Sequence, residues 1–205
     1  VLFVHGMGRT PLSGWPLLRR LRQGGLRTTT FGYSTTFESF NSITLRLISR
    51  LSKVAATESY VVVGHSLGGV LIRAALNSLP EHVNRPRHVF LVGSPMQPSR
   101  LALRLKNKLL YRALAGDCGQ LLASSSRMSA IGSLQEATTG IAGVSGFTNR
   151  GGPFGGEAND GVVSVGEVSA PWLSAQRQVP VIHTLLPSSR RVAEVILSEV
   201  SPNAG

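Results

Sequence analysis

The chain has few of the residues that could hold it together through covalent bonds or metals. Its 205 residues include a single cysteine, Cys118, so no intramolecular disulfide can form, and the chain is compatible with a reducing compartment. The two aspartates and five histidines are dispersed, without the H-E-x-x-H or paired-cysteine spacing of a zinc site. A carboxylate-rich calcium cage has too few ligands. We therefore expect no metal and no cofactor.

Long apolar runs are also missing. No uninterrupted apolar stretch approaches the roughly 18–20 residues that cross a bilayer. No cationic start precedes a short hydrophobic run, as a signal peptide would require. The sequence starts at Val1 inside an apparent strand, which is consistent with a leader trimmed upstream. These observations favour a cytoplasmic location only slightly and do not fix the localisation.

Acidic residues are scarce. The chain has 10 aspartates and glutamates and 21 lysines and arginines, which gives a net charge of +11. Such a charge attracts anionic lipid, nucleic acid or acidic partners. The basic residues are scattered, however, and lack the interleaved aromatics of a stacking nucleic-acid surface. We expect a solvated arginine-rich surface and no nucleic-acid partner, and weak contact with an anionic membrane surface stays an option.

Short apolar runs alternate with segments of helical length, which is typical of a parallel sheet covered by helices. The length fits a single domain with a core large enough to fold unaided. We predict strands near residues 1–5, 28–33, 59–64, 87–92, 139–145 and 178–182. Helices are predicted near residues 15–24, 39–55, 66–79 and 187–199. The predicted fold class is α/β, with a mostly parallel sheet of about six strands and helices on both faces.

Two connections are much longer than ordinary ones. Residues 95–138, here called the insertion, lie between the fourth and fifth predicted strands, and residues 146–161 form a glycine-rich loop. Open α/β sheets bind ligands at the carboxyl ends of their strands, so a cap over a binding crevice is expected there. Residues 100–114 place leucines on two opposite helical arcs with cations between them. This favours a cap helix that lines an acyl pocket over membrane docking, which needs one wide apolar face, and core packing is the third option.

Residues 59–72 carry the strongest chemical signal. A β-branched run ends in Gly64-His65-Ser66-Leu67-Gly68, and helical spacing begins directly afterwards. A serine between a strand and a helix sits on a strained turn, with its hydroxyl exposed beside the positive end of the helix. The two glycines let the strand and the helix cross closely. Ser66 is therefore the predicted nucleophile.

A serine hydroxyl needs a base that takes its proton and an acid that orients the base. On a strand–turn–helix scaffold, the three residues follow in the order serine, acid, histidine. His183 is the only histidine that follows both Ser66 and a credible acid, so it is the predicted base. Asp160, in a turn after the fifth strand, is the predicted acid. Glu157 and Glu167 are the alternatives.

Hydrolysis through a serine also needs donors for the oxyanion that forms on the substrate. One is the backbone N–H after the serine, which belongs to Leu67, and the other comes from the loop after the first strand. We predict Met7 for that loop, because Gly6 lets the chain turn so that the next amide points into the site.

The segments Val-His-Gly-Met-Gly at residues 4–8, Gly-His-Ser-Leu-Gly-Gly, Asn-Asp-Gly and the late histidine resemble the α/β-hydrolase superfamily. The chain is most similar to its small bacterial lipase/esterase-like members, over essentially the whole length. The resemblance implies a minimal α/β-hydrolase domain over residues 1–205, with a cap at residues 95–138. It also implies ester or lipid-like substrates, a serine acyl-enzyme, and Met7 as an oxyanion donor. Some related lipases hold a calcium ion with additional aspartates, which this chain lacks.

Other functions fit the same motifs. A thioesterase or an acyltransferase would use the same triad and differ only in the leaving group or the acceptor. A catalytically inactive relic that serves as a binding module usually lacks a triad member, and none is missing here. Acyl-chain length, physiological substrate and oligomeric state do not follow from the sequence.

Overall fold

The β-branched runs form one parallel sheet in a computed structural model, which describes residues 1–200. The strand order is β2-β1-β3-β4-β5-β6, and all neighbouring strands are parallel. The strands are β1 (Leu2–Val4), β2 (Thr29–Phe31), β3 (Val61–His65), β4 (His88–Val92), β5 (Thr138–Gly143) and β6 (Ala175–Val179). The first five match the predicted strands to within two residues at each end.

Strand β6 lies three residues before its predicted position at 178–182, which was wrong. It is an edge strand that is buried only at Val179, so its sequence Ala-Gln-Arg-Gln-Val gives little apolar signal. Pro180 follows it, and a proline cannot donate a backbone N–H to the ladder. The apolar residues 181–182 that suggested the strand instead lead into a 3-10 helix at His183–Ser188.

Helices cover both faces of the sheet. They are α1 (Trp15–Gln23), α2 (Phe40–Ala55), α3 (Leu67–Asn77), α4 (Arg100–Leu105), α5 (Leu109–Leu122), α6 (Ser125–Ala130) and α7 (Arg190–Val200). The first three match the predicted helices. The last was predicted to start at residue 187 but begins at Arg190, because Pro187 lies inside the preceding 3-10 helix.

The pleat of the strands divides the core into two layers, since successive side chains point to opposite faces. Phe3 and Phe90 pack with α1 and α7 on one face. Leu2 and Leu91 pack with α2, α3 and the insertion on the other. The predicted fold class, with helices on both faces of a six-stranded sheet, is confirmed.

The insertion consists of the short helices α4, α5 and α6. The predicted helix over residues 100–114 is broken between Leu105 and Leu109, where α4 ends and α5 begins. Gly116 kinks α5 at φ 53° and ψ −145°, and a Cβ there would lie 2.2 Å from the carbonyl oxygen of Thr35. None of the helices within residues 1–200 is long and apolar enough to span a bilayer.

Arg73 on α3 anchors both ends of the insertion. Its buried guanidinium donates to the carbonyl oxygens of Pro95 and Gly132 and lies 5.4 Å from the ring centre of Trp172. Burial lowers the pKa of Arg73 to about 10. By contrast, Leu109, at the start of α5, is 82% exposed. The insertion is therefore fixed at its ends and open in its first half.

Candidate active site

The turn between β3 and α3 holds Ser66 in a strained conformation. Ser66 has φ 54° and ψ −124°, and no other non-glycine residue within 1–200 has a positive φ. A Cβ at Gly64 would lie 2.5 Å from the backbone of α3, and one at Gly68 would lie 2.2 Å from a carbonyl oxygen of β1. The Ser66 N–H donates to the Val92 carbonyl at 2.9 Å. Close packing and this bond fix the serine at the carboxyl end of β3.

His183 and Asp160 form a buried pair at the same edge. Nδ1 of His183 lies 2.6 Å from Oδ2 of Asp160, and the two side chains are 8% and 0% exposed. The backbone N–H of His183 also donates to the Asp160 carbonyl, at 2.9 Å. Oδ1 of Asp160 accepts from the N–H groups of Val162 and Val163 at 2.9 and 2.8 Å. With both carboxylate oxygens occupied, Asp160 has one orientation and leaves Nε2 of His183 available.

His65 connects the serine turn to this pair. Its Nε2 lies 3.1 Å from the carbonyl oxygen of His183, and the two ring centres are 4.8 Å apart. Since a carbonyl only accepts, Nε2 of His65 carries the proton and donates. Burial, and then the nearby His183, hold the pKa of His65 well below its usual value. His65 is therefore a neutral donor that ties the His183 loop to the residue next to Ser66.

Gly93, at the end of β4, lies directly against the pair. A Cβ there would be 3.1 Å from Nδ1 of His183 and 3.2 Å from Oδ2 of Asp160. Its φ of 56° is in the left-handed region that favours glycine. Sequence reasoning missed both Gly93 and the tie through His65. The available signals were a glycine directly after the fourth strand and the histidine inside the serine motif.

The loop after β1 passes beside the serine. A Cβ at Gly6 would lie 3.1 Å from Cβ of Ser66 and 2.9 Å from Nδ1 of His65. Neither the Met7 nor the Leu67 backbone N–H donates to an acceptor within residues 1–200. Both predicted oxyanion donors therefore lie in segments that border Ser66 and have unused N–H groups.

Tyr33 holds this loop, and no sequence pattern pointed to this role. Its ring stacks on His5 with the centres 4.2 Å apart, and its hydroxyl donates to the His5 carbonyl at 2.7 Å. Nδ1 of His5 lies 2.9 Å from the Gly6 carbonyl. Burial lowers the pKa of His5. A neutral, stacked histidine thus supports the turn that carries Met7.

The alternative acids Glu157 and Glu167 have different partners, and so does the second aspartate, Asp117. Glu157 pairs with Arg100 at 2.8 Å, and Glu167 accepts from the backbone N–H of Arg100 at 2.7 Å. Asp117 pairs with Arg127 at 2.8 Å, which lowers its pKa. Within the described residues, the carboxylate that is hydrogen-bonded to His183 is Asp160. Glu157 and Glu167 instead join the start of α4 to the loop that holds Asp160.

Metal ligation has no cluster of side chains to support it across residues 1–200. No group of three or more histidine, cysteine, aspartate or glutamate side chains is arranged to hold an ion there. The hydrogen bonds described above between buried polar groups at this edge all join protein atoms. The arrangement can supply a hydroxyl nucleophile, an oriented imidazole and two backbone donors without a further ligand.

Comparisons with known proteins agree with this architecture. A family model described as "Alpha/beta hydrolase family" matches residues 1–195. No curated protein matches the sequence significantly. The mature lipase BlEst2 of Bacillus licheniformis is similar in structure, with a TM-score of 0.75 at 17% identity over 98% of this chain and 91% of that one.

Two further solved structures show the range of similar proteins. A metagenomic carboxyl esterase has a TM-score of 0.72 at 18% identity over 97% of this chain and 74% of that one. The RedJ thioesterase of the prodiginine pathway in Streptomyces coelicolor has a TM-score of 0.65 at 16% identity, with 97% and 84% covered. At these identities the likeness concerns the fold alone.

Proposed function

The chain belongs to the alpha/beta hydrolase family, and on that premise we propose that it is a serine hydrolase that cleaves carboxylic esters. The observation that carries the proposal is one edge of the sheet where three features meet. These are the strained Ser66, the 2.6 Å contact between His183 and Asp160, and the His65 donor that links the two. Ester and lipid-like small molecules are the proposed substrates.

In the first half of the proposed reaction, Oγ of Ser66 attacks the ester carbonyl carbon while Nε2 of His183 takes the hydroxyl proton. Asp160 stays ionised, keeps the proton on Nδ1 and stabilises the imidazolium that forms. When the tetrahedral intermediate collapses, the bond to the alcohol breaks and His183 returns the proton to the departing oxygen. The product is an acyl-enzyme on Ser66 and a free alcohol.

In the second half, water takes the place of the alcohol. His183 accepts a proton from the water as the water oxygen attacks the acyl carbon, and then returns it to Oγ of Ser66 as the carboxylic acid leaves. In both halves the negative oxygen is bound by the N–H groups of Met7 and Leu67. Losing one such donor typically costs about 3–4 kcal/mol of transition-state stabilisation.

Thioester hydrolysis and acyl transfer would use the same atoms. They are kept as alternatives because a thioesterase is among the proteins of similar fold. The three reactions differ in the leaving group and the acceptor, so substrates separate them. The test assays p-nitrophenyl esters from acetate to palmitate beside acyl thioesters, and repeats the assay with an added alcohol. Ester hydrolysis is supported if kcat/KM is highest for an ester with water as the acceptor. A preference for the thioester or the alcohol contradicts it.

A fluorophosphonate probe tests the nucleophile directly. The protein should be labelled once, at Ser66, and Ser66→Ala should remove both labelling and ester turnover. The matched control is Ser94→Ala at a buried serine whose hydroxyl has no hydrogen-bond partner among residues 1–200, and this variant should keep both. Labelling at another residue, or turnover that survives in Ser66→Ala, would contradict the proposal. If wild type shows neither labelling nor ester turnover, a non-catalytic binding module is favoured instead.

A further inference from the structure

Exposed apolar side chains surround the candidate site. Six large ones that are more than half exposed lie in the connections after β2, β4, β5 and β6, which leave the sheet at its carboxyl edge. These residues, here called the apolar collar, are between 54% and 88% exposed: Phe37, Leu109, Leu110, Leu114, Phe147 and Leu185. Scattered single apolar residues are normal on a protein surface, but a group around one site indicates an interaction surface.

Hydrogen bonds bring the segments of the apolar collar together. Oγ1 of Thr36, next to Phe37, donates to the Leu114 carbonyl at 3.2 Å. Nδ2 of Asn159, next to Asp160, donates to the Phe147 carbonyl at 3.3 Å. Leu185 lies two residues after His183 in the same 3-10 helix. Phe37 is therefore next to Leu114, and Phe147 and Leu185 flank the segments that hold Asp160 and His183.

Uncompensated cations accompany the apolar collar. Residues 100–114 contain five lysines and arginines and no acidic residue. Arg100 pairs with Glu157, whereas the other four are exposed and make no ion pair within residues 1–200: Arg104, Lys106, Lys108 and Arg112. The neighbouring carboxylates Glu38 and Asp117 are already paired with arginines. The surface around the apolar collar is thus both apolar and positively charged.

We propose that the apolar collar docks onto an anionic lipid surface, so that the chain hydrolyses esters at a membrane–water interface. This proposal rests on the proposed function of the same site. Leucine and phenylalanine side chains can enter the boundary of a lipid layer while lysines and arginines pair with anionic headgroups. The attraction increases with each lysine or arginine near such a surface.

A second copy of the chain fits this surface less well. In a twofold dimer the same patch faces itself, so the four cations of one copy would face the four of the other. Like charges brought together across an interface repel each other and oppose association. An anionic lipid layer removes that repulsion and accepts the same apolar side chains. Charge complementarity therefore selects lipid as the occupant.

Vesicle flotation tests the proposal. Wild type should bind phosphatidylcholine vesicles that contain 30% phosphatidylglycerol at least tenfold more strongly than pure phosphatidylcholine vesicles. The difference should shrink at high salt, which screens charges. Leu109→Ser with Leu110→Ser, and separately Lys106→Glu with Lys108→Glu, should each weaken binding at least tenfold. These side chains are exposed, so the variants should keep the wild-type melting temperature.

Matched controls come from other faces of the molecule. Leu45→Ser changes an exposed leucine on α2, and Lys53→Glu with Arg191→Glu reverses two exposed cations on α2 and α7. Binding in both controls should stay within twofold of wild type. The proposal is overturned if wild type does not bind anionic vesicles, or if the controls lose as much binding as the collar variants. It is also overturned if sedimentation shows a dimer that Leu109→Ser with Leu110→Ser dissociates.

Turnover of a soluble ester separates this proposal from the proposed function. With p-nitrophenyl butyrate and no vesicles, the leucine variants and the lysine variants should both keep wild-type kcat, because neither alters Ser66, Asp160 or His183. If wild type binds vesicles but hydrolyses no ester, the proposed function fails and the docking surface stands. If it hydrolyses the soluble ester but ignores anionic vesicles, only the docking surface fails.

Discussion

Two regions at the same edge of the sheet are held in opposite ways. The site floor, here Ser66, Asp160 and His183, is closely packed: Asp160 and His183 are buried, and the half-buried Ser66 directly follows β3. The insertion consists of short helices with a kink, is anchored at its ends by Arg73, and exposes leucines to solvent. The residues proposed for catalysis and the segment proposed to control access to them therefore depend on different contacts. Changes in the site floor should lower kcat, whereas changes in the insertion should leave the hydrolysis of small esters intact.

The two aspartates give the largest test of this division, since one lies in each region. Asp160→Asn should lower kcat by roughly 10⁴, because the amide favours the wrong tautomer of His183. Asp117→Asn removes a carboxylate that pairs with Arg127 in the insertion and should keep most of the activity. Steady-state kinetics with a soluble ester measure both. The opposite pattern would mean that the acid lies in the insertion.

Two glycines with positive φ give a second matched pair. In Gly93→Ala, the new methyl group would meet His183 and Asp160, and a misplacement of about 1 Å can cost about 10² in rate. In Gly116→Ala, the methyl group would meet the Thr35 carbonyl, which should loosen α5 but change kcat for p-nitrophenyl butyrate less than threefold. Equal losses of kcat in both variants would show that the insertion shapes the catalytic geometry.

Acid should destabilise the site floor selectively, because the insertion contains no histidine. Burial lowers the pKa of His65 in the folded state, so the unfolded chain binds more protons as pH falls below about 6.5. Stability from this group is therefore present above that pH and is lost below it, by up to about 1.4 kcal/mol per pH unit. Melting temperatures between pH 7.5 and 5.5 should fall less in His65→Gln than in wild type. The exposed His82→Gln variant should fall as much as wild type.

Chelation should have the smallest effect, because neither region has a cluster of metal ligands within residues 1–200. EDTA should change neither the melting temperature nor the turnover of a soluble ester. Dialysis followed by calorimetry and kinetics measures both quantities. Activity that disappears with chelator and returns with a divalent ion would show that the protein requires a bound metal ion.

The site floor could be predicted from the sequence because its residues obey local rules. Glycines at fixed spacing imposed the turn at Ser66, and the shortage of aspartates and histidines left few candidates for its partners. The structure brings Asp160 and His183 into contact, while their catalytic roles stay a prediction. The ties through His65, Tyr33 and Gly93 could not be predicted, because they join segments that are distant in the chain.

The insertion and the last strand were harder to predict for a different reason. Helical periodicity over residues 100–114 is continuous, but the structure divides the segment into α4, which ends at Leu105, and α5, which begins at Leu109. Core packing of these leucines, which was one option, is wrong for the exposed ones. Strand β6 carries polar residues because it is an edge strand, so its apolar pattern was weak. Apolar periodicity in a sequence reflects which side chains are buried. Both segments bury few side chains, so their periodicity predicts their structure poorly.

The parallel strand order has a consequence for when the chain becomes reactive. During synthesis, β1, β2 and β3 emerge early, so Ser66 is made well before Asp160 and His183. On the proposed mechanism its hydroxyl is inert during that time, because no base can accept the proton. β6 joins the sheet only by pairing with β5, and pairing between distant segments is slow. Hydrolytic competence would therefore arrive last, which protects a growing chain from acylation and makes ester turnover a readout of completed folding.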